Sequence, residues 1–239
     1  MRHILALDIG NTETKGAIFA PGNHTALHYA GGTLGEVVLH LLSYTQYPRV
    51  IVSNVTHADP MAYLPADLPV HHFGSKTPIP FQNLYETPET LGLDRLANAA
   101  AAYFLYPRKN VLVVDFGTCI KYDFLDQQGR YLGGSISPGL QMRFKSLHAF
   151  TDRLPEVAFN LDAPTIGKNT TTALQSGVQE GIYHEVFGFI AQYEREYEKI
   201  NVIFTGGDAI HFAPRFKNRI FAAPLLTLIG LAGIIAIND

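Results

Sequence analysis

Short apolar runs rich in β-type residues alternate along this chain with longer stretches of helical spacing, a pattern that predicts a layered α/β fold. Residues 3–9 read as a strand ending in the turn Gly10-Asn11-Thr12, and residues 15–20 as the strand that returns from it. Residues 34–42 carry apolar side chains at helical spacing, and residues 49–55 are again strand-like. Residues 57–90 are rich in Pro, His and Thr and show no period, the kind of irregular segment that often carries binding residues. The alanine-rich run 93–106 predicts a strong helix stopped by Pro107.

The opening pattern then recurs. Residues 111–116 form a buried-type strand, Gly117-Thr118 a turn, residues 120–125 a returning strand, and 127–130 a hairpin turn into a strand at 131–137. Leu5-Ala6-Leu7-Asp8-Ile9-Gly10-Asn11-Thr12 and Leu112-Val113-Val114-Asp115-Phe116-Gly117-Thr118 share one form, an apolar strand followed by Asp-x-Gly and then Thr. This repeat predicts a duplicated chain of two domains, 1–108 and 109–239, with a cleft between them. A third strand, Val202-Ile203-Phe204-Thr205, runs into the turn Gly206-Gly207-Asp208 and then a helix.

Composition narrows the classes of function. The net charge is −3 with scattered basic residues, so no basic run marks a nucleic-acid or polybasic membrane surface. Cys119 is the single cysteine, which excludes an intramolecular disulfide and a thiolate zinc cluster. The apolar run at the N-terminus is too short for a signal-peptide core. Residues 225–237 are apolar over 13 positions, short of the ~20 a membrane span needs, and read as a buried C-terminal helix. A cytoplasmic location is expected.

At each Asp-x-Gly the glycine permits a close backbone approach. Successive N–H groups in such turns form an anion-binding concavity, to which the hydroxyls of Thr12 and Thr118 add donors. Lys15 offers phosphate a point charge, and Asp8 and Asp115 sit at strand ends able to hold Mg²⁺ or its waters. A single Asp-x-Gly is explained by turn chemistry alone; two copies with matched flanking strands are not. The G-x-x-x-x-G-K-[ST], G-x-G-x-x-G, G-x-S-x-G and H-E-x-x-H motifs are absent. His24, His28, His71 and His72 lack a carboxylate at ligand spacing and read as surface or core histidines. Gly92-Leu93-Asp94-Arg95 opens the alanine-rich helix. Asp94 there is either a first-turn capping residue or the acceptor for a hydroxyl proton, with Arg95 able to hold a substrate carboxylate.

In combination, Asp8-Ile9-Gly10-Asn11-Thr12 with Lys15, Gly92-Leu93-Asp94-Arg95, Asp115-Phe116-Gly117-Thr118, residues 133–140 (Gly-Gly-Ser-Ile-Ser-Pro-Gly-Leu) and Gly167-Lys168-Asn169-Thr170 resemble the type III pantothenate kinases. The resemblance runs nearly end to end and implies a duplicated actin-like, ribonuclease-H-type fold, a mixed sheet flanked by helices in each domain and ATP in the cleft. It implies transfer of phosphate from ATP, with Mg²⁺, to the 4′-hydroxyl of pantothenate, the first step of coenzyme A synthesis. It further implies that Asp8, Ile9, Gly10, Asn11, Thr12, Glu13, Thr14, Lys15 and Thr118 line the ATP phosphates, with Gly206 and Gly207 by the adenosine. Asp94 is then the catalytic acceptor, and Tyr85, Gly92, Leu93, Asp94, Arg95 and Thr170 contact pantothenate. Asp115 would hold a monovalent cation, K⁺ or NH₄⁺, and a homodimer with the substrate site at its interface is expected.

Two features qualify these expectations. The family's second phosphate motif commonly has a Thr where this chain has Lys121, whose ammonium could repel or replace the cation, unless it points from its strand to solvent. In the run Thr170-Thr171-Thr172 a slip of one residue changes which hydroxyl reaches the substrate. Another small-molecule kinase of the same superfamily, or an ATP-binding regulator without turnover, is the alternative reading.

Overall fold

The computed structural model describes residues 2–216 and 219–238. In chain order come strands β1 (Ile4–Ile9), β2 (Thr14–Phe19) and β3 (Ala26–Gly32), helix α1 (Leu34–Leu42), and strands β4 (Arg49–Asn54), β5 (Val70–His72) and β6 (Gln82–Asn83). Helix α2 (Leu93–Leu105) follows, then β7 (Asn110–Phe116), β8 (Cys119–Leu125) and β9 (Arg130–Pro138). The chain continues through α3 (Leu140–Ala149), α4 (Thr170–Glu196), β10 (Ile200–Thr205), α5 (Ala209–Phe212), β11 (Phe221–Ala222) and α6 (Leu226–Ile237). It divides into two units: Met1–Arg108, Gln128–Leu132 and Leu225–Asp239, and Lys109–Gln127 with Gly133–Pro224.

In the first unit the sheet order is β3-β2-β1-β4-β5, with β1 antiparallel to β2 and parallel to β4. Strand alternation points Leu5, Leu7 and Ile9 to one face, where Val50, Val52 and the α1 residues Leu34, Val37, Val38 and Leu41 close a core. Helix α1 starts at a capping box, with Thr33 and Glu36 three positions apart. Ile4, Ala6 and Asp8 lie on the opposite face of β1. That face meets α6, which packs on β1 and β4 and, on its far side, on α2. Thr227 of α6 donates a hydrogen bond to the fully buried Asn98 of α2 at 2.9 Å. The short β6 pairs with Arg130 and Tyr131 at the start of β9.

The second unit repeats the plan with the order β11-β10-β7-β8-β9, β7 antiparallel to β8 and parallel to β10. Leu112, Val114, Phe116, Tyr122 and Phe124 face Leu140 and Phe144 of α3 and Val178, Ile182, Val186 and Ile190 of α4. Burying one such aliphatic or aromatic side chain contributes about 1.5–3 kcal/mol, so this stripe is the main reason the 27-residue α4 is helical.

Relative to the sequence expectations, the predicted strands and the helices at 34–42 and 93–106 are present within a residue or two at their ends. The elements β3, α3 and α4, and the short strands β5, β6 and β11, have no counterpart among them. Residues 128–132 and 225–239, expected in the second domain, count with the first unit, the former beside β6, which pairs with Arg130 and Tyr131, and the latter because α6 is fixed to α2, β1 and β4.

Candidate active site

Each unit places one aspartate at the end of its central strand and one lysine directly across the hairpin. Asp8 of β1 is in register with Lys15 of β2, and Asp115 of β7 with Lys121 of β8. Residues opposed in an antiparallel pair project from the same face, so each carboxylate shares its face with an ammonium. On the parallel side the register partners are Ser53 of β4 for Asp8 and Thr205 of β10 for Asp115. Sequence reasoning missed both hydroxyls, although each ends an otherwise apolar strand, Val50-Ile51-Val52-Ser53 and Val202-Ile203-Phe204-Thr205.

The first turn is closed by the Gly10 N–H donating to the Glu13 carbonyl at 3.2 Å, with Asn11 and Thr12 exposed at its tip. Thr14 and Lys15 begin β2, and the Lys15 Nζ lies 3.9 Å from Glu13. The second turn is shorter: Gly117 N–H donates to Cys119 at 3.2 Å, and Gly139 N–H to the Thr118 carbonyl at 3.1 Å. A Cβ on Gly139 would fall 2.4 Å from the Gly117 carbonyl oxygen, so this end of the Gly-Gly-Ser-Ile-Ser-Pro-Gly run lies flush on the Gly117-Thr118 turn.

That run is anchored from behind. Glu185 of α4 accepts hydrogen bonds from Ser137 at 2.6 Å, Tyr122 at 2.8 Å and Arg143 at 2.6 Å. Burial works to raise the Glu185 pKa, but the bonds from Ser137, Arg143 and Tyr122 and the Arg143 charge outweigh it and leave it lowered. Burial and the same carboxylate push the Tyr122 phenol upward.

The Gly206-Gly207 turn follows β10. Gly206 has φ of 89°, a conformation that suits glycine, and a Cβ there would meet Asp115 Oδ1 at 2.6 Å. Asp208 completes the turn by donating its N–H to the Phe116 carbonyl at 3.1 Å, and burial raises its carboxyl pKa. Lys121 does not point to solvent. Its Nζ is 2.8 Å from Asp115 Oδ2, with the two side chains only 16% and 11% exposed.

In the first unit, Gly92 caps α2 and Leu93 and Asp94 form its first turn. Asp94 Oδ1 accepts the Arg95 N–H at 2.9 Å, and a Cβ on Gly92 would fall 2.6 Å from that oxygen, so glycine leaves the carboxylate its place. Arg95 is 4% exposed and its guanidinium lies 5.3 Å from the Tyr85 ring centroid, so the two side chains meet. Thr170 is the first residue of α4, after the cap Asn169. Thr172 N–H donates to Asn169 Oδ1 at 2.9 Å, and the Thr172 hydroxyl accepts the Lys168 N–H at 3.0 Å. The hydroxyl of Thr172 is thus built into the cap, while Thr170 and Thr171 are exposed.

Among the described residues no helix is long and apolar enough to cross a membrane, and no group of three or more His, Cys, Asp or Glu could hold a metal ion.

This strand plan, used twice, is that of the duplicated actin-like fold of ATPases and sugar kinases. The activator of the 2-hydroxyisocaproyl-CoA dehydratase from Clostridium difficile, solved with bound ADPNP, superposes with a TM-score of 0.53 at 18% identity over 99% of this chain and 94% of that one. The family model of type III pantothenate kinases matches residues 4–192, and the chain belongs to that family. Type III pantothenate kinases of Phocaeicola vulgatus and Bacteroides fragilis are each 41% identical to it, over 98% of both chains.

Proposed function

We propose that the protein phosphorylates pantothenate at its 4′-hydroxyl with ATP, in the cytoplasm, as the first step of coenzyme A synthesis. The observation that carries this reading is the helix mouth Gly92-Leu93-Asp94-Arg95, with Arg95 under Tyr85, in a chain that belongs to the type III pantothenate kinases. Residues Asp8 to Lys15 and Thr118 bind the triphosphate, and Gly206 and Gly207 lie by the adenosine. Tyr85, Gly92, Leu93, Arg95 and Thr170 hold pantothenate, Arg95 through the substrate carboxylate. Asp94 orients the 4′-hydroxyl and accepts its proton. The oxygen bonds to the γ-phosphorus while the bond from that phosphorus to the bridging oxygen breaks, and ADP leaves with the electron pair.

Mg²⁺ enters with the nucleotide as part of the substrate. Such an ion is held by one carboxylate, that of Asp8, and by phosphate oxygens. Asp115, the expected monovalent-cation ligand, does not fit a free K⁺ or NH₄⁺, since the Lys121 ammonium already stands 2.8 Å from its carboxylate. The homodimer completing the substrate site at its interface belongs to the same proposal, on the strength of family membership.

The test is pantothenate-dependent ADP release, with the phosphorylated product identified by mass. In Asp94→Asn, turnover is expected to fall by about 10²–10⁴-fold with ATP binding retained, the span a single general base supplies. Undiminished turnover in that variant removes Asp94 from the chemistry.

A further inference from the structure

We infer that Lys121 is the resident monovalent cation of the second phosphate turn, so that the enzyme works without added potassium or ammonium. The inference rests on the kinase reading above. Register sets the geometry: the turn closes with Phe116 opposite Ile120, which leaves Asp115 facing Lys121 on one side of the sheet. Asp115 is 8% exposed, and a carboxylate taken this far out of water requires a countercharge. Lys121 supplies it at 2.8 Å from Oδ2.

The other side of the carboxylate is closed. Asp115 Oδ1 lies 2.6 Å from where a Gly206 Cβ would stand. A Cβ on Gly117 would lie 3.7 Å from the same oxygen and 3.9 Å from the Lys121 Nζ. The ammonium therefore sits against the backbone of the phosphate-type turn, with Asp115 beside it and the Gly206 turn beyond. A metal cation on Asp115 would meet a like charge at contact distance. The tethered ammonium brings the same single positive charge to the turn and adds N–H donors, with no dependence on the ion content of the solution. Lys121 acts on the phosphates through Asp115 and the Gly117 turn, as a positioning residue.

The experiment uses the full chain in a buffer whose only added monovalent cation is choline, with KCl titrated in at constant ionic strength. Pantothenate-dependent ADP release and the thermal midpoint are both recorded. For the wild type, neither is expected to respond to KCl. Lys121→Thr is expected to lose roughly 10²-fold in kcat in choline, the usual effect of removing one stabilising charge or donor, and to regain it with KCl while its thermal midpoint rises. Potassium activation or potassium-dependent stabilisation of the wild type overturns the inference, as does a folded Lys121→Thr whose lost activity KCl does not restore. If Lys121→Thr does not fold, the wild-type titration and ²⁰⁵Tl⁺ NMR decide: bound thallium overturns the inference, and its absence with potassium-independent turnover upholds it. Wild type without turnover under any condition refutes the kinase reading instead, and the thermal titration still reports on the cation site.

Discussion

Adding a methyl group to Gly230 probes how α6 sets the distance between the helix that carries Asp94 and the strand that carries Asp8. An ideal Cβ at this position falls 1.8 Å from the Ala97 carbonyl oxygen and 2.6 Å from its carbon. The first distance is about 1.2 Å short of the 3.0 Å below which Cβ contacts essentially never occur, and the obstructing atoms are backbone, so no rotamer relieves the clash. Two effects oppose each other. Replacing glycine by alanine inside a helix gains about 0.8–1 kcal/mol, whereas forcing an extra methyl into a filled contact costs about 1–3 kcal/mol or more. With backbone in the way the second wins, and Gly230→Ala is expected to lose about 1–2 kcal/mol net, a drop of roughly 2–8 °C in thermal midpoint for a chain of this size. Gly181→Ala is the matched control: it lies on exposed α4 surface with nothing within 4 Å of its Cβ, and it should gain stability. Because Ala97 is one turn beyond Asp94, α2 must shift by about 1 Å, enough to lower kcat by up to ~10²-fold while KM for ATP stays near its wild-type value. A Gly230→Ala protein with wild-type midpoint and wild-type kcat would refute the argument.

Arg95→Ala should raise the KM for pantothenate by roughly 10–10²-fold, the worth of a charge-assisted hydrogen bond, with little change for ATP; normal pantothenate affinity would take Arg95 out of the site. Glu185→Gln should destabilise the protein at neutral pH in urea unfolding. Because the folded-state pKa of Glu185 is lowered, its contribution is complete above the unfolded value of about 4.3 and fades as pH falls through the folded value. The difference between wild type and variant should therefore shrink below about pH 4, and a pH-independent difference would show that the Arg143 pairing is not its source.

Elements whose pattern is local were legible before the fold was known. The two Asp-x-Gly hairpins were readable because an apolar strand, a glycine turn and a returning strand all lie within about fifteen residues, and α2 because its alanines form an unbroken run stopped by Pro107. Helix α4 escaped notice although it has 27 residues. Its buried stripe, Leu174, Val178, Ile182, Val186 and Ile190, advances strictly by four, and Gly177, Gly181 and Gly188 interrupt the surface between. Strand β3 alternates between partly buried and exposed residues, an edge-strand signature too faint to stand out from a loop. The attachment of α6 to the first unit has no local signal at all, since it depends on Gly230 meeting Ala97 more than a hundred residues away. The orientation of Lys121 could have been derived by counting outward from the turn, because a closure between Phe116 and Ile120 forces Asp115 and Lys121 onto one face. Burial of Asp115 could not, because it depends on the Gly206 turn.

The duplicated strand plan gives both units the same three groups, an aspartate, a lysine across the hairpin and a hydroxyl on the parallel strand, yet the two sets are suited to different work. After β10 the chain folds over Asp115 through Gly206, whereas β4 ends at Asn54, whose side-chain oxygen accepts the Thr56 N–H. Asp115 is therefore enclosed and Asp8 is not, being only partly buried. An enclosed carboxylate binds its lysine closely, at 2.8 Å, with the ammonium 16% exposed; Lys15 is 35% exposed, with its Glu13 neighbour at 3.9 Å. On the proposed function, exposure is what keeps Lys15 and Asp8 in reach of phosphate and of a magnesium ion that comes and goes with nucleotide, and on the inference above enclosure commits Lys121 to a fixed charge. One loop that folds over a strand end in one copy and not in the other is sufficient, by this account, to turn a repeated motif into an exchangeable site and a permanent one.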